Sequence, residues 1–174
     1  MEKALQLNPL SPIVQTDIGL THLCARRYGT AIEQLEKVVV ENPEVSLPRW
    51  FLGLSYDANE EPKKAFAAYL RALEREGGAE LAARLETIKQ SSGEQAAYQI
   101  WLEENLKMRE QGYFPAVNIA FLYAAMKNRE QSLAWLEKAF DEHEPTVWQI
   151  KYLPNYDFIR TDARFQEMLL KINL

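Results

Sequence analysis

The chain repeats a pattern at a fixed offset. Pro9 and Pro43, Gly19 and Gly53, and Ala31 and Ala65 each stand 34 positions apart, and each pair sits in a matching local pattern. A period of this length marks stacked helix–turn–helix units, each of which needs its neighbour to bury its apolar face. The repeated residues have physical reasons to be there. Glycine lets the backbone of a neighbouring helix come close, so Gly19 and Gly53 open the first helix of each pair, and Ala31 and Ala65 do the same from the second. His22 and Tyr56 lie three residues beyond the glycines, one turn along the same face, and Leu35 and Tyr69 lie four beyond the alanines. Pro9 and Pro43 stand where a second helix ends, because proline cannot continue a helix interior.

The stretches Ile18-Gly19-Leu20-Thr21-His22 and Leu52-Gly53-Leu54-Ser55-Tyr56, followed by Ala31…Leu35 and Ala65…Tyr69, resemble the tetratricopeptide repeat (TPR). Its signature runs Leu-Gly-x-x-Tyr, then Ala-x-x-x-Phe, then Pro. The resemblance implies an all-α fold, a right-handed superhelical array of antiparallel helix pairs closed by a C-terminal capping helix. On this reading the chain is one TPR-like domain. Residues 1–10 are the remnant of a preceding repeat, 11–45 and 46–78 are repeats, 79–112 a divergent helix pair, 113–145 a TPR-like pair and 146–174 the cap. The first pair turns at Tyr28-Gly29-Thr30 and the second at Asn59-Glu60-Glu61-Pro62, and Gly77-Gly78 stops the latter. A short helix over 79–90, a loop at Ser91-Ser92-Gly93 and a long helix over 94–111 make the third pair, in which Ala97 and Trp101 echo the signature in a slipped register. In the fourth, Ile119-Ala120-Phe121-Leu122-Tyr123 matches with Ala for Gly, and Ser132, Leu136, Ala139 and Pro145 follow. Thr146 is expected to cap a short helix, and Thr161 or Asp162 a final one with Phe165, Met168, Leu169 and Ile172 on one apolar stripe.

The run from Ile119 to Met126, then Leu133 to Phe140, then Tyr156 to Phe165 looks like the TPR tail of multidomain bacterial regulators, where it follows a winged-helix, adenylate cyclase or Ser/Thr kinase domain. That resemblance implies a regulatory or scaffolding part of a larger protein. The half-repeat before Pro9 is expected to mark either an excised C-terminal piece of a longer protein or a lone N-terminal cap.

Other function classes find little support. A net charge of −5, with 20 basic residues spread along the chain, gives no basic stripe for nucleic acid. No apolar run is long enough for a membrane span, and the first residues do not read as the charged start and apolar core of a signal peptide. The lone Cys24, on an apolar helix face, reads as a buried thiol in a reducing compartment; the expected location is the cytoplasm, and a periplasmic array would look the same. Asp141-Glu142-His143-Glu144 lacks the i, i+3 or i, i+4 spacing of a helical metal site and reads as a solvated helix end. His22 reads as a packed residue, carboxylate pairs such as Glu60-Glu61 and Glu103-Glu104 as solvated, and no phosphate loop or nucleophile elbow occurs. No catalytic residue, metal or cofactor is expected.

A partner site is expected instead. In TPR arrays the first helices line a concave groove, which the resemblance places here at Ile13, Thr16, Leu20 and Leu23, at Leu47, Trp50, Leu54 and Asp57, and at Phe114, Val117 and Phe121. Trp50 stands one residue later than the signature's Trp, which turns it by about 100° toward the groove. TPR domains that clamp a chaperone's C-terminal carboxylate use Lys, Arg and Asn at inner positions, whereas this groove carries Leu, Trp and Thr. An apolar helix or strand is therefore the expected ligand. Two alternatives stand beside it. The groove could be filled by the chain itself or by a second copy in a homodimer, or a small molecule could enter it against Thr16, Asp57 and Tyr56 and control an upstream domain.

Overall fold

A computed structural model describes residues 11–172, and within them it contains helices and no strand. The expected remnant at residues 1–10, with Pro9, lies outside the described residues. Contacts divide the chain into two compact units, Met1–Arg84 and Leu85–Leu174, and the division falls within one helix.

In the first unit α1 (Pro12–Cys24) and α2 (Tyr28–Glu41) form one pair, and α3 (Leu47–Ala58) and α4 (Pro62–Arg75) the next. Each helix packs against the one that follows, and α1 also lies against α3. Proline in the first turn starts α1, α3 and α4, where its missing N–H costs nothing. The buried stripe of α4, made by Ala65, Phe66, Ala68, Tyr69 and Ala72, follows helical spacing and faces α3. The glycine notches are filled by side chains rather than by backbone. A Cβ on Gly19 would stand 2.5 Å from Leu35, and one on Gly53 would stand 2.2 Å from the ring of Tyr69.

The first turn is not at Tyr28-Gly29-Thr30, which already belong to α2. It is made by Arg26, whose φ of 62° is matched by Glu60 at the equivalent place in the second pair. A left-handed residue reverses the chain just after a helix, and at these two turns it is not glycine. Gly77, at φ 89°, ends α4 as expected.

α5 (Ala79–Ser92) spans the division between the units. It runs through Ser91 and Ser92, which were expected in a loop, and Gly93 at φ 90° alone makes the break.

The second unit holds α6 (Glu94–Gln111), α7 (Ala116–Ala125), α8 (Arg129–Asp141), 3-10 turns at Val147–Lys151 and Pro154–Ile159, and α9 (Ala163–Lys171). Its core gathers Trp101, Ile119, Leu136, Ile150, Tyr156 and Phe165, and Tyr98 stacks on Trp101 at 6.4 Å. Thr146 makes no capping bond and its segment is a 3-10 turn, so the expected capped helix is not found there. Asp162 does cap α9, accepting the Arg164 N–H at 2.9 Å. The apolar side of α9 is buried through Phe165, Met168 and Leu169.

Candidate partner-binding face

The first helices of the two pairs, α1 and α3, lie side by side, and the residues expected to line a groove divide into three groups. Ile13 and Leu47, 34 positions apart and so equivalent in the repeat, are exposed at 66% and 43%. Leu20, Trp50 and Asp57 are half-buried. Thr16, Leu23 and Leu54 are buried, so the structure corrects their assignment to an accessible lining. Thr16 is 1% exposed and its hydroxyl donates to the Pro12 carbonyl at 2.6 Å, within its own helix. Phe114, Val117 and Phe121 belong to the second unit, where all three are half-buried.

Trp50 is a second correction. Its ring stands 5.7 Å from that of Tyr69, tilted by 33°, and its indole N–H donates to Glu76 Oε1 at 2.7 Å. The expected turn away from the helix-packing face is not found, because Tyr69 on α4 draws the indole across the pair. Trp50 thus ties α3 to α4 and offers only its outer edge.

Several polar groups around this face are paired within the chain, whereas the buried Nδ1 of His22 on α1 has no hydrogen-bond partner among the described residues. Tyr69 Oη donates to Asp57 Oδ2 at 2.7 Å, and Tyr56 Oη donates to Glu36. Burial first, and then the Glu36 carboxylate, push the Tyr56 hydroxyl well above its ordinary pKa, so it stays a neutral donor. Gln34 of α2 reaches the Gln15 side chain of α1 at 2.6 Å. The face exposes the apolar Ile13 and Leu47 together with the polar Asp17 and Thr21 of α1. Ile13 and Leu47 offer a partner apolar surface to desolvate.

Two residues escaped the sequence reading. Arg49 is buried at 7% exposure in the first turn of α3. The signal was present: with Trp50 one place late, Arg49 holds the position of the signature's Trp. Glu144, expected in a solvated run, is 3% exposed and accepts the backbone N–H groups of Ala116 at 2.5 Å and Val117 at 3.0 Å. It thereby caps α7, whose N-cap Pro115 has no side chain able to do so. Its neighbour His143 sits at φ 56° and remains exposed, so the acidic run turns its side chains apart. Cys24 is half-buried, and burial raises its thiol pKa.

No described helix is long and apolar enough to cross a membrane. Compared with known proteins, the chain matches no family model, no curated protein and no solved structure.

Proposed function

We propose that the chain is a non-catalytic protein-interaction module of the tetratricopeptide kind, whose α1–α3 face takes an apolar helix or strand of a partner. The carrying observation is the pair Ile13 and Leu47. Two large apolar side chains are exposed at repeat-equivalent positions of adjacent helices, beside half-buried Leu20 and Trp50. Single exposed apolar residues are ordinary on protein surfaces, but these two recur at equivalent places on neighbouring helices. The right-handed superhelical arrangement, the capping role of α9 and a place in a larger bacterial signalling or transcription-regulating protein belong to the same proposal and rest on the resemblance. The small-ligand reading loses support, because Thr16, Tyr56 and Asp57 each already have a partner within the chain.

Leu47→Glu tests the reading better than a change at Trp50, which would also loosen α4. Its exposed position lets the charge be tolerated by the fold. Affinity capture from the source cell's lysate, with the wild type and Leu47→Glu side by side and thermal unfolding measured on both, should retain a protein that the variant loses at equal stability. Identical captures would remove the α1–α3 face from consideration.

A further inference from the structure

Of the four tryptophans only Trp148 is exposed, at 46%, and Tyr152, just beyond it in the chain, is exposed at 37%. Their rings meet edge to face, 6.5 Å apart and inclined by 68°. The segment that carries them is fixed from beneath. Val147, Ile150 and Leu153 are buried, and Arg160 donates to the carbonyls of Lys151 at 2.5 Å and Leu153 at 3.3 Å. Two large aromatic side chains are thus held outward on a pinned turn, whose backbone needs no further ordering to receive a ligand.

The polar tips of this platform are unengaged. The Trp148 indole N–H, the Tyr152 hydroxyl and the Lys151 ammonium make no hydrogen bond or ion pair among the described residues, and the ammonium lies 5.5 Å over the Tyr152 ring. An indole N–H and an ammonium donate only, while a phenol hydroxyl donates and accepts. The platform therefore suits a ligand with apolar rings and unpaired acceptors, and with few donors of its own. That requirement separates the possible ligands. A helix has its carbonyls bonded to its own N–H groups except in the last turn, and a strand presents an N–H for each carbonyl. Proline carries a carbonyl and no N–H, and in the polyproline II conformation no carbonyl is bonded within the chain. A sugar's hydroxyls bring donors that find only the Tyr152 oxygen among these three tips. With no strand edge among the described residues, a bound peptide is read by side chains and not by a backbone ladder.

We infer that Trp148, Lys151 and Tyr152 form a docking platform for a proline-rich segment of a partner in the polyproline II conformation. Its rings lie against Trp148 and Tyr152, and its carbonyls accept from the Trp148 N–H and the Lys151 ammonium. Ligand and turn are both ordered before they meet, so little entropy is lost on binding. The platform belongs to the second unit and uses neither Ile13 nor Leu47, so its failure leaves the α1–α3 proposal as it stands.

The test titrates decaproline into the full chain and follows the indole N–H resonances by NMR, with a Gly-Ser peptide of equal length and maltohexaose as parallel titrants. The Trp148 resonance, identified by its loss in Trp148→Phe, should shift saturably with decaproline alone, while that of Trp50, already bonded to Glu76, stays in place. Tyr152→Ala should raise the Kd by at least about fivefold, the loss that marks a binding hot spot. Trp148→Phe keeps an aromatic ring and removes the donor; followed through the backbone amides of 147–152, it should raise the Kd as well, and it covers the case in which Tyr152→Ala does not fold. No saturable shift, an equal shift with the Gly-Ser peptide, or an unchanged Kd in the folded variants overturns the inference. Binding of maltohexaose with equal or greater affinity overturns it too, and gives the platform to a sugar.

Discussion

A methyl group added at Gly53 would stand 2.2 Å from the ring of Tyr69, and at Gly19 it would stand 2.5 Å from Leu35. The two clashes differ in how they can relax. Both side chains are fully buried, but Tyr69 is a rigid ring bonded to Asp57 and flanked by Trp50, whereas Leu35 is an aliphatic chain that meets the added methyl at a longer distance. Alanine gains about 1 kcal/mol of helix propensity over glycine, and overpacking costs about 1–3 kcal/mol. Gly53→Ala should therefore be destabilising by about 2 kcal/mol and Gly19→Ala by less, while Gly29→Ala, with no atom within 4 Å, should be neutral or stabilising. Urea titrations of the three variants check the order. The sequence repeat placed both notches correctly, because a glycine recurring at a fixed offset reports a close approach. It misidentified what enters them, since side-chain direction depends on how the partner helix is rotated. Glu144 was illegible for a related reason: burial of a charge is decided by the elements around it, and the local run Asp-Glu-His-Glu looks the same on a surface as in a cap.

Ion pairs join α9 to α8. Arg164 donates to Glu137 at 2.8 and 2.6 Å and to Glu130 at 2.7 Å, and Arg129 donates to Asp162 at 2.9 Å. The hydrogen bond from Arg164 holds the Glu137 carboxyl below its usual range, and the bond from Arg129 does the same for Asp162. A carboxylate depressed in the folded state stabilises fully above its unfolded pKa, and that contribution is lost as pH falls through the folded value. Stability of the wild type should thus decline below the ordinary carboxylate range, and Glu137→Gln should flatten part of that decline while lowering stability at neutral pH. Both carboxylates lie near the surface, so salt should shrink the difference. Denaturation at pH 7 and pH 3, in low and high salt, reads it; parallel pH curves for the two proteins would deny Glu137 this role. The start of α9 at Asp162 was legible from its capping chemistry, as was the buried stripe of Phe165, Met168 and Leu169. The Thr146 segment misled because a capping residue announces a helix only where enough turns follow, and Pro154 allows one short 3-10 turn before it.

Across the whole molecule, each compact unit carries its own core. Leu23, Leu35, Phe66 and Tyr69 are fully buried in the first, and Ile119, Leu136, Tyr156 and Phe165 in the second. Sequence periodicity describes the first unit well, because its 34-residue offset holds from Gly19 to Tyr69. It describes the second less well, because the cap there is built from 3-10 turns and from Glu144, neither of which has a period. Helical arrays draw their stability from each unit and its nearest neighbours, so damage should stay local. Native-state hydrogen exchange can resolve this. Gly53→Ala should lower protection in α1 to α4 and leave α7 to α9 within about twofold of the wild type, while Glu144→Ala, which strips two buried N–H groups at the start of α7 of their acceptor, should do the reverse. The continuous helix α5 belongs to both units, and its amides decide the matter. If they follow only one of the two variants, that unit alone holds the helix; if protection falls throughout the chain in both variants, the two cores unfold as one and the division of contacts carries no energetic meaning.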